Sequence, residues 1–232
     1  MISNLKRRFE GLKLYEAIIL CGGEGWRLKP ETWVPKPLLR IDDKTLLDRQ
    51  INWLVNHGFD SVILAASKEI AEELRPHVLE GVVKLSAEEE KLGTGGATKK
   101  AVKLCGSRKV YVMNVDDIVF CDPTELFEYA DKGGAILMAK PVLPFGKIFT
   151  KGSQVLRFEQ KPPLEFYVNA GHYVLKTDVV REHFPERGDM ELQTFQRLAD
   201  LGKLRGYKYN GLWLTINTMK DLIKVREYFE RE

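Results

Sequence analysis

The sequence predicts an α/β fold. Short aliphatic runs such as Ala17–Leu20 and Val110–Met113 alternate with segments of about ten residues that carry apolar side chains at helical spacing, the pattern of a parallel sheet covered by helices. After Gly134 the pattern changes to strands and turns. We therefore expect a Rossmann-like, three-layer α/β/α arrangement around a mostly parallel mixed sheet, with a smaller strand-rich lobe.

Length and composition favour one ordinary globular domain. The chain has 232 residues, 44% of them hydrophobic and 30% charged, which is enough to bury a sizeable core. We expect residues 1–13 to form an N-terminal extension, a helix or tail, and residues 14–232 to form a single domain. Its first half would span about 14–133 and its second about 134–232.

Charge and hydropathy exclude several classes of protein. A net charge of +3 is too small to indicate nucleic-acid binding. No apolar stretch reaches the roughly 18 residues that span a bilayer, and the basic N-terminus lacks the apolar core of a signal peptide. We therefore expect no nucleic-acid partner, no membrane association and a cytoplasmic location. Association into a homo-oligomer is left open by these residues.

Cysteine and histidine spacing argues against a disulfide framework or a zinc site. Cys21, Cys105 and Cys121 lie far apart and form no CxxC pair, so we interpret them as reduced core residues. The 4 histidines show no ligand spacing such as HExxH. A zinc enzyme and a Ser-His-Asp hydrolase are therefore poorly supported.

The loop that follows the first apolar run is the most informative stretch, and it reads LCGGEGWRLKPETWVPKPLL from Leu20 to Leu39. The sharp turn leaves peptide N–H groups unpaired, and glycines allow a polyphosphate to approach them because no Cβ stands in the way. These glycines are Gly22, Gly23 and Gly25. Arg27 and Lys36 add two positive charges, and three prolines stiffen the loop. A simple connecting loop is the alternative interpretation of the glycines alone.

Two common phosphate-binding motifs do not match this loop. A dinucleotide fingerprint that begins at Gly23 would require glycine where Leu28 stands. No Gly-Lys-Ser/Thr occurs in the chain, which excludes a P-loop ATPase.

Taken whole, the loop resembles the signature of the sugar-phosphate nucleotidyltransferases, or nucleotide-sugar pyrophosphorylases, and most of all members of the mannose-1-phosphate guanylyltransferase type. The matching elements are two glycines, x, Gly, x, Arg-Leu-x-Pro and then Pro-Lys-Pro. The resemblance extends from Tyr15 to Tyr228. It implies transfer of a nucleotidyl group from an NTP to a sugar 1-phosphate, with Mg²⁺ as cofactor and pyrophosphate as product. By this resemblance Arg27 and Lys36 are the catalytic cations, which neutralise the negative charge of the phosphate group under attack.

A second stretch, Glu88 to Ala97, leads into a predicted helix at Ala97–Leu104. We expect its backbone N–H groups to face outward, and we interpret Glu89 and Glu90 as solvated surface acids. Leu-Gly-Thr-Gly-Gly-Ala resembles the family element that cradles the nucleotide base, which implies that Glu88 contacts the base. An ionised carboxylate only accepts hydrogen bonds, and guanine offers two adjacent N–H donors, so Glu88 favours GTP. The nucleotide-binding residues implied by both stretches are Leu20, Gly22, Gly23, Gly25, Glu88, Gly93 and Thr94.

Acids follow the predicted strand that begins at Lys109. Asn114-x-Asp116 resembles the family's Asn-Gly-Asp, whose aspartate holds the catalytic magnesium, although Val115 replaces the usual glycine. The alternative is that Asp116 caps the helix that begins near Pro123. Ligands of open α/β sheets bind beyond the carboxyl ends of the strands, and by the resemblance we favour Asp116 as the metal ligand over the cap.

The segment Leu212–Thr218 resembles the family's Trp-x-Asp-x-Gly-Thr, whose aspartate is the second magnesium ligand. Thr215 stands in its place. Magnesium often binds only one or two carboxylates and keeps several waters, so we expect Asn217 or water to complete the shell around Asp116. We also expect Thr218 and Asp221 to cap a final helix.

The second half resembles the family's sugar-binding lobe. The matches are Phe145-Gly146-Lys147-Ile148, Phe158-Glu159-Gln160-Lys161-Pro162 and Val168-Asn169-Ala170-Gly171. They imply that Lys161 contacts the sugar phosphate and that Gly146, Asn169 and Gly171 line the sugar. Gln160 replaces the family's usual glutamate, so an amide would contact the sugar there. Glu191 either faces the sugar or only favours the dipole of its helix.

Two other functions remain open. A catalytically silent relative that senses nucleotide sugars would explain Thr215, but Arg27, Lys36 and Asp116 argue against it. A glycosyltransferase with a similar nucleotide-binding half would not need the loop from Arg27 to Lys36. The product distinguishes the three functions. Nucleotidyl transfer releases pyrophosphate, a glycosyltransferase releases a nucleoside diphosphate, and a silent relative releases neither.

Overall fold

The computed structural model describes residues 14–23 and 28–231. The predictions made for residues 1–13, for Gly25 and for Arg27 lie outside the described residues.

A seven-stranded mixed sheet forms the centre of the fold. The strands in the described residues are β1 (Glu16–Leu20), β2 (Ser61–Ser67), β3 (Val83–Glu88), β4 (Lys109–Asn114), β5 (Asp117–Val119), β6 (Gly134–Ala139), β7 (Gly146–Lys151), β8 (Gln154–Gln160), β9 (Val168–Lys176), β10 (Leu204–Tyr209) and β11 (Trp213–Thr215). The order in the large sheet is β10-β6-β9-β4-β1-β2-β3. Its pairs are parallel except where β9 runs antiparallel to β4 and β6.

Helices cover both faces of this sheet. They are α1 (Leu46–Asn56), α2 (Lys68–Leu74), α3 (Gly93–Ala101), α4 (Leu126–Tyr129), α5 (Thr177–His183), α6 (Met190–Gln193), α7 (Phe195–Asp200) and α8 (Met219–Phe229). Short 3₁₀ turns lie at Lys36–Leu38, Arg75–His77, Val102–Leu104 and Pro123–Glu125.

Two apolar cores lie on opposite faces because successive side chains of a strand point to opposite sides. From β1, Ala17 and Ile19 pack in one core with apolar residues of α1 and α8. Ile18 and Leu20 pack in the other with residues of α3, α5 and α7. The predicted three-layer α/β/α fold with a mostly parallel mixed sheet is therefore confirmed.

The helix ends show which local predictions were right. The predicted capping box of α8 is present, with Thr218 and Asp221 bonded to each other's backbone N–H groups. Ser67 precedes α2, but its side chain makes no capping hydrogen bond, so this helix begins without a side-chain cap. Helix α3 begins at Gly93, four residues before the predicted start at Ala97.

Two small antiparallel sheets complete the fold. Strand β5 pairs with β11, and β7 pairs with β8 in a hairpin. The large sheet itself takes β6, β9 and β10 from the second half of the chain, so the division near residue 133 stays a prediction. Within the described ranges, no helix combines the length and the apolar character that crossing a membrane requires.

Candidate active site

A cavity of about 250 Å³ opens at the carboxyl ends of β1, β3 and β4. Leu20 lies opposite Ala65 in β2 and opposite Asn114 in β4, so the loops that follow these strands meet at one edge of the sheet. Several of the residues singled out in the sequence line this cavity together. They are Leu20, Gly22, Gly23, Lys36, Glu88, Gly93, Thr94 and Asp116.

A second cavity, of about 410 Å³, adjoins the first. The two share Gly22, Gly23, Glu88 and Lys91 in their linings. The second extends from the proline-rich loop, with the exposed Trp33, to the start of α2. The two cavities together form a groove along the end of the sheet.

Glu88 is the last residue of β3 and is buried, with 4% of its surface exposed. Its Oε2 accepts a hydrogen bond from the Leu92 N–H at 2.8 Å, and burial raises the pKa of its carboxyl group. Its Oε1 lies near the backbone of Gly22, since a Cβ added there would be 3.6 Å away. Glu89 and Glu90 instead form ion pairs at the surface, as expected.

The N-terminus of α3 is covered, which contradicts the prediction that its N–H groups face outward. The Gly188 carbonyl oxygen accepts hydrogen bonds from the N–H groups of Gly95 at 2.9 Å and Gly96 at 3.3 Å. The Thr94 N–H donates to Oδ1 of Asp189 at 3.2 Å. A Cβ at Gly96 would lie 2.4 Å from the Glu186 carbonyl oxygen. This glycine therefore admits a segment of the same chain.

A chain of hydrogen bonds joins the start of α3 to β9. Thr94 Oγ1 donates to Oε2 of Glu191 at 2.6 Å. The Tyr173 hydroxyl donates to Oε1 of Glu191 at 3.4 Å, and it accepts from Nδ2 of Asn169 at 2.8 Å. Glu191 and Asn169 are thus brought together through Tyr173. Contact of either residue with a sugar stays a prediction.

Lys36 and Asp116 form an ion pair at the mouth of the cavity. Nζ of Lys36 lies 2.6 Å from Oδ2 of Asp116, and the two side chains are 15% and 17% exposed. Lys36 belongs to the 3₁₀ turn after the proline-rich loop. The Asp116 carbonyl oxygen accepts a hydrogen bond from the Ile216 N–H at 3.1 Å, which holds the end of β11 beside the end of β4.

Asp117 is a buried acid to which the sequence assigned no role. Its Oδ2 accepts from Nδ2 of Asn114 at 3.0 Å and its Oδ1 from Nε1 of Trp213 at 3.1 Å. Burial, followed by the negative charge of Asp116, raises the pKa of Asp117 to about 7. Gly171 packs against this carboxyl group, since a Cβ there would lie 2.0 Å from Oδ2 of Asp117.

Thr215 lies directly opposite Asp117 in the β5–β11 pair. Directly opposite residues of an antiparallel pair share one face, so the two side chains are neighbours. Nδ2 of Asn217 donates to Oγ1 of Thr215 at 3.1 Å. Thr215, where the resemblance implies an acid, therefore lies opposite Asp117 and is hydrogen-bonded to Asn217.

The oxygen donors of this region suit magnesium better than a transition metal. Within the described ranges, 14–23 and 28–231, no cluster of three or more His, Cys, Asp or Glu side chains could hold a metal ion. The Asp116 carboxylate and the Asn217 amide oxygen are hard ligands, which Mg²⁺ accepts together with substrate phosphates and water. The chemistry of the Asp116 carboxylate thus fits a magnesium ion, whereas Asn217 lines neither cavity in the described ranges and its role as a ligand stays a prediction.

Gly146, Gln160 and Lys161 lie apart from this cavity. Gly146 pairs with Gln160 at the open end of the β7–β8 hairpin, and Gln160 and Lys161 are exposed. In the described part of the chain they are absent from the cavity lining. Asn169 and Gly171 are closer, because β9 brings Gly171 to Asp117. The predicted sugar-binding residues thus fall into two groups.

Asp189 and Lys91 also line the cavity, and sequence reasoning missed both. Asp189 reaches it through the segment that covers α3. No local signal marks this residue, because its role depends on a contact with Thr94 across 95 positions of sequence.

Known proteins resemble this chain in sequence and in fold. Residues 16–232 match the family model described as Nucleotidyl transferase. The chain is 31% identical over 227 residues to mannose-1-phosphate guanyltransferase beta-A of Xenopus laevis, covering 90% of this chain and 62% of that protein. It is 31% identical over 224 residues to D-glycero-alpha-D-manno-heptose 1-phosphate guanylyltransferase of Aneurinibacillus thermoaerophilus, covering 91% and 97%.

A solved structure is similar over nearly the whole chain. The crystal structure of HddC from Yersinia pseudotuberculosis complexed with GMP-PN has a TM-score of 0.74 and 26% identity, and the match covers 93% of this chain and 100% of HddC. The chain spans only 62% of the length of curated mannose-1-phosphate relatives such as the Xenopus laevis protein. The match to the family model nevertheless covers almost all of this chain, and the chain therefore belongs to the nucleotidyl transferase family.

Proposed function

We propose that this protein transfers a guanylyl group from GTP to a sugar 1-phosphate, in a magnesium-dependent reaction that yields a GDP-sugar and pyrophosphate. The observation that carries the proposal is that Lys36, Asp116 and Glu88 line one cavity beside the backbone of Gly22 and Gly23. A cation, a metal-binding carboxylate and a base-facing acceptor are the three groups that this reaction needs. The guanylyltransferase names of similar proteins support the same reaction.

The chemistry needs positioning and charge neutralisation more than a nucleophilic side chain. A phosphate oxygen of the sugar 1-phosphate is already ionised near neutral pH and attacks the α-phosphorus of GTP. A new P–O bond forms, the bond from the α-phosphorus to the bridging oxygen breaks, and pyrophosphate leaves with that electron pair. Lys36 and Arg27 would neutralise the charge that develops on these phosphates.

Glu88 supports guanine as the base. Its Oε2 already accepts from Leu92, and in the described residues its Oε1 has no hydrogen-bond donor, so it could accept from a base N–H. A buried acceptor that loses its partner is costly, so a site of this kind discriminates strongly against a base without the matching donor. Asp189 lies in the same lining and adds a second carboxylate acceptor to it.

Asp116 and Asn217 would hold the magnesium ion, with GTP phosphates and water as further ligands. When bound, the ion would neutralise phosphate charge as a Lewis acid. In the structure, Nζ of Lys36 donates a hydrogen bond to Oδ2 of Asp116. The GTP phosphates would therefore compete for Lys36 and free the Asp116 oxygen.

A manno-configured sugar 1-phosphate is the acceptor that we propose. Mannose and D-glycero-D-manno-heptose appear in the names of the two guanylyltransferases described above. Asn169, Gly171 and Glu191 would face the sugar beside the nucleotide cavity. Gly146, Gln160 and Lys161 would reach the sugar and its phosphate from the hairpin.

The test is pyrophosphate release from each NTP paired with mannose, manno-heptose, glucose and N-acetylglucosamine 1-phosphates in the presence of Mg²⁺. We expect release with GTP and a manno-configured acceptor, and loss of release in Asp116→Asn. Nucleotide-sugar binding without release from any pair would contradict the proposal. That outcome would favour a silent sensor, for which the replacement of the family acid by Thr215 is the supporting observation.

A further inference from the structure

We propose that Lys91 reads the base of the nucleotide, by donating a hydrogen bond from its ammonium group to O6 of guanine beside the carboxylate of Glu88. The inference rests on the proposed function, because it concerns the base of the GTP that this function requires. It names the residue that separates guanine from adenine, which carries an amino group where guanine has O6.

Lys91 and Glu88 line the same space. Both residues belong to the linings of the two adjoining cavities. The Leu92 N–H, which is part of the peptide bond between Lys91 and Leu92, donates to Oε2 of Glu88 at 2.8 Å. This hydrogen bond folds the backbone of Lys91 back against the Glu88 carboxylate. The two side chains therefore start from neighbouring points of one turn.

The backbone donors at the start of α3 are already used by the protein. The N–H groups of four residues here donate to protein oxygens, and these residues are Leu92, Thr94, Gly95 and Gly96. The Thr94 hydroxyl donates to Oε2 of Glu191 at 2.6 Å. An N–H whose proton is given to the protein does not serve a base oxygen as well. This arrangement favours a side-chain donor for O6 of the base.

Two side-chain cations line the first cavity in the described residues, Lys36 and Lys91. Lys36 lies 2.6 Å from Asp116 and serves the phosphates in the proposed reaction. Lys91 is the cation in the turn that Glu88 closes. Its ammonium group has three protons to donate, so a contact with the protein leaves a donor for a base oxygen.

The Watson–Crick edge of guanine matches an acid beside a cation. Its amino group and N1–H are donors that the Glu88 carboxylate can accept, and the adjacent O6 is an acceptor for the Lys91 ammonium. Adenine would set its own amino group against the Lys91 ammonium, so that two donors would face each other. Because an unsatisfied charged donor in a binding site is costly, the two side chains together select guanine.

Lys100 provides a matched control for the charge of Lys91. Burial raises the pKa of Glu88, and the positive charges of Lys100 and Lys91 both oppose that rise. Nζ of Lys100 donates to the Ala87 carbonyl oxygen, and among the residues that the structure describes Lys100 is in neither cavity lining. Removing the charge of Lys100 therefore changes the electrostatics at Glu88 without removing a donor from the base.

The experiment compares the binding of GTP and of 6-thio-GTP to the full-length chain, by isothermal titration calorimetry with Mg²⁺ and without a sugar acceptor. The analogue keeps both N–H donors but replaces O6 by sulfur, a weak acceptor. We expect the parent chain to bind GTP about 10-fold more tightly, since the hydrogen bond involves a charged donor. Lys91→Met should bind the two nucleotides within about 2-fold of each other, and Lys100→Met should keep the parental preference.

Three results would overturn the role of Lys91. They are no preference in the parent chain, an unchanged preference in Lys91→Met, and an equal loss of preference in Lys100→Met. Inosine triphosphate keeps O6 and lacks the amino group, so Lys91→Met should leave the ratio of GTP to inosine triphosphate affinity unchanged. A fall of that ratio as large as in Glu88→Gln would also contradict a contact with O6.

Pyrophosphate release separates this inference from the proposed function. If the parent chain releases pyrophosphate with UTP or TTP and not with GTP, the proposed base is wrong and the role of Lys91 fails with it. If GTP supports release while Lys91→Met retains the preference for GTP over 6-thio-GTP, the proposed function stands and only the role of Lys91 is refuted.

Discussion

Nζ of Lys36 lies 2.6 Å from Oδ2 of Asp116, although the two residues are 80 positions apart in the sequence. Lys36 comes from a stiffened loop after β1, and Asp116 follows β4, the neighbour of β1 in the sheet. The fold thus joins the cation of one motif to the carboxylate of another. In the absence of a nucleotide, this ion pair ensures that neither partly buried charge is left without a partner of opposite charge.

Replacing Lys36 should therefore affect the reaction more than the binding of substrate. In Lys36→Met we expect kcat for pyrophosphate release to fall about 100-fold or more, with a smaller rise in KM, because the charge is needed most in the transition state. Steady-state kinetics with GTP and mannose 1-phosphate measure both constants. Lys44→Met, at an exposed position, is the control. A rise in KM with unchanged kcat would contradict the catalytic role.

Glu88 allows a sharper test of base recognition. Inosine triphosphate lacks the exocyclic amino group of GTP, so it offers one N–H donor fewer to a carboxylate. We expect the parent chain to prefer GTP, and Glu88→Gln to reduce that preference about 10-fold, because an amide nitrogen cannot accept. The ratio of the two kcat/KM values is the measurement. Glu89→Gln, in an exposed ion pair with Lys68, should leave the ratio unchanged, and an equal change in both variants would exclude Glu88 from the base site.

The sequence could predict the end of the sheet at which these residues meet but could not predict how that end is closed. The parallel strands follow from aliphatic runs that alternate with helical segments, and parallel strands bring Lys36 and Asp116 to one edge. The segment that covers the N-terminus of α3 could not be predicted in this way. It depends on Gly188 meeting Gly95 and Gly96, a contact between distant segments that leaves no periodic pattern in either one.

The pairing of Thr215 with Asp117 could not be predicted for the same reason. Read along the chain, Thr215 is a missing acid, and Asp117 is one more acid after a strand. Only the register of β5 against β11 shows that these two residues face each other. The glycine at position 171 was assigned to a sugar from its motif, whereas the structure adds a steric requirement, because the Asp117 carboxyl group occupies the space beside it.

Gly171 should accordingly be intolerant of even a methyl group. Its φ is +75°, and an added Cβ would lie 2.0 Å from Oδ2 of Asp117 and 2.7 Å from Nδ2 of Asn114. We expect Gly171→Ala to lower the free energy of unfolding by about 3 kcal/mol or more, because the strain of a positive φ and the steric overlap with neighbouring side chains both destabilise the fold. Urea denaturation measures it.

Gly152→Ala separates the two causes of that loss. Its φ is +57°, but no atom of the described chain, apart from the adjoining residues, lies within 4 Å of an added Cβ, so only the backbone cost of about 1 kcal/mol remains. Equal losses of stability in the two variants would show that the Asp117 carboxyl group does not restrict position 171.

His172 should make stability depend on pH in the acidic range. Burial lowers the pKa of His172 from 6.5 to about 4. Its hydrogen bonds suit the neutral ring, with Nε2–H donating to the Asp117 carbonyl oxygen and Nδ1 accepting from the Tyr111 hydroxyl. Between these two pKa values the unfolded chain binds a proton that the folded chain does not. The stability contributed by this group is therefore complete above pH 6.5 and is lost as the pH falls towards 4.

The loss amounts to about 3 kcal/mol over that range. The raised pKa of Asp117 acts with the opposite sign, so the measurement compares the parent chain with His172→Gln, in which the amide can still donate to the Asp117 carbonyl oxygen. We expect the free energy of unfolding of the parent chain, measured in urea at several pH values, to fall more steeply with acidification than that of the variant. Parallel curves would show that His172 takes up its proton equally in the folded and unfolded chains.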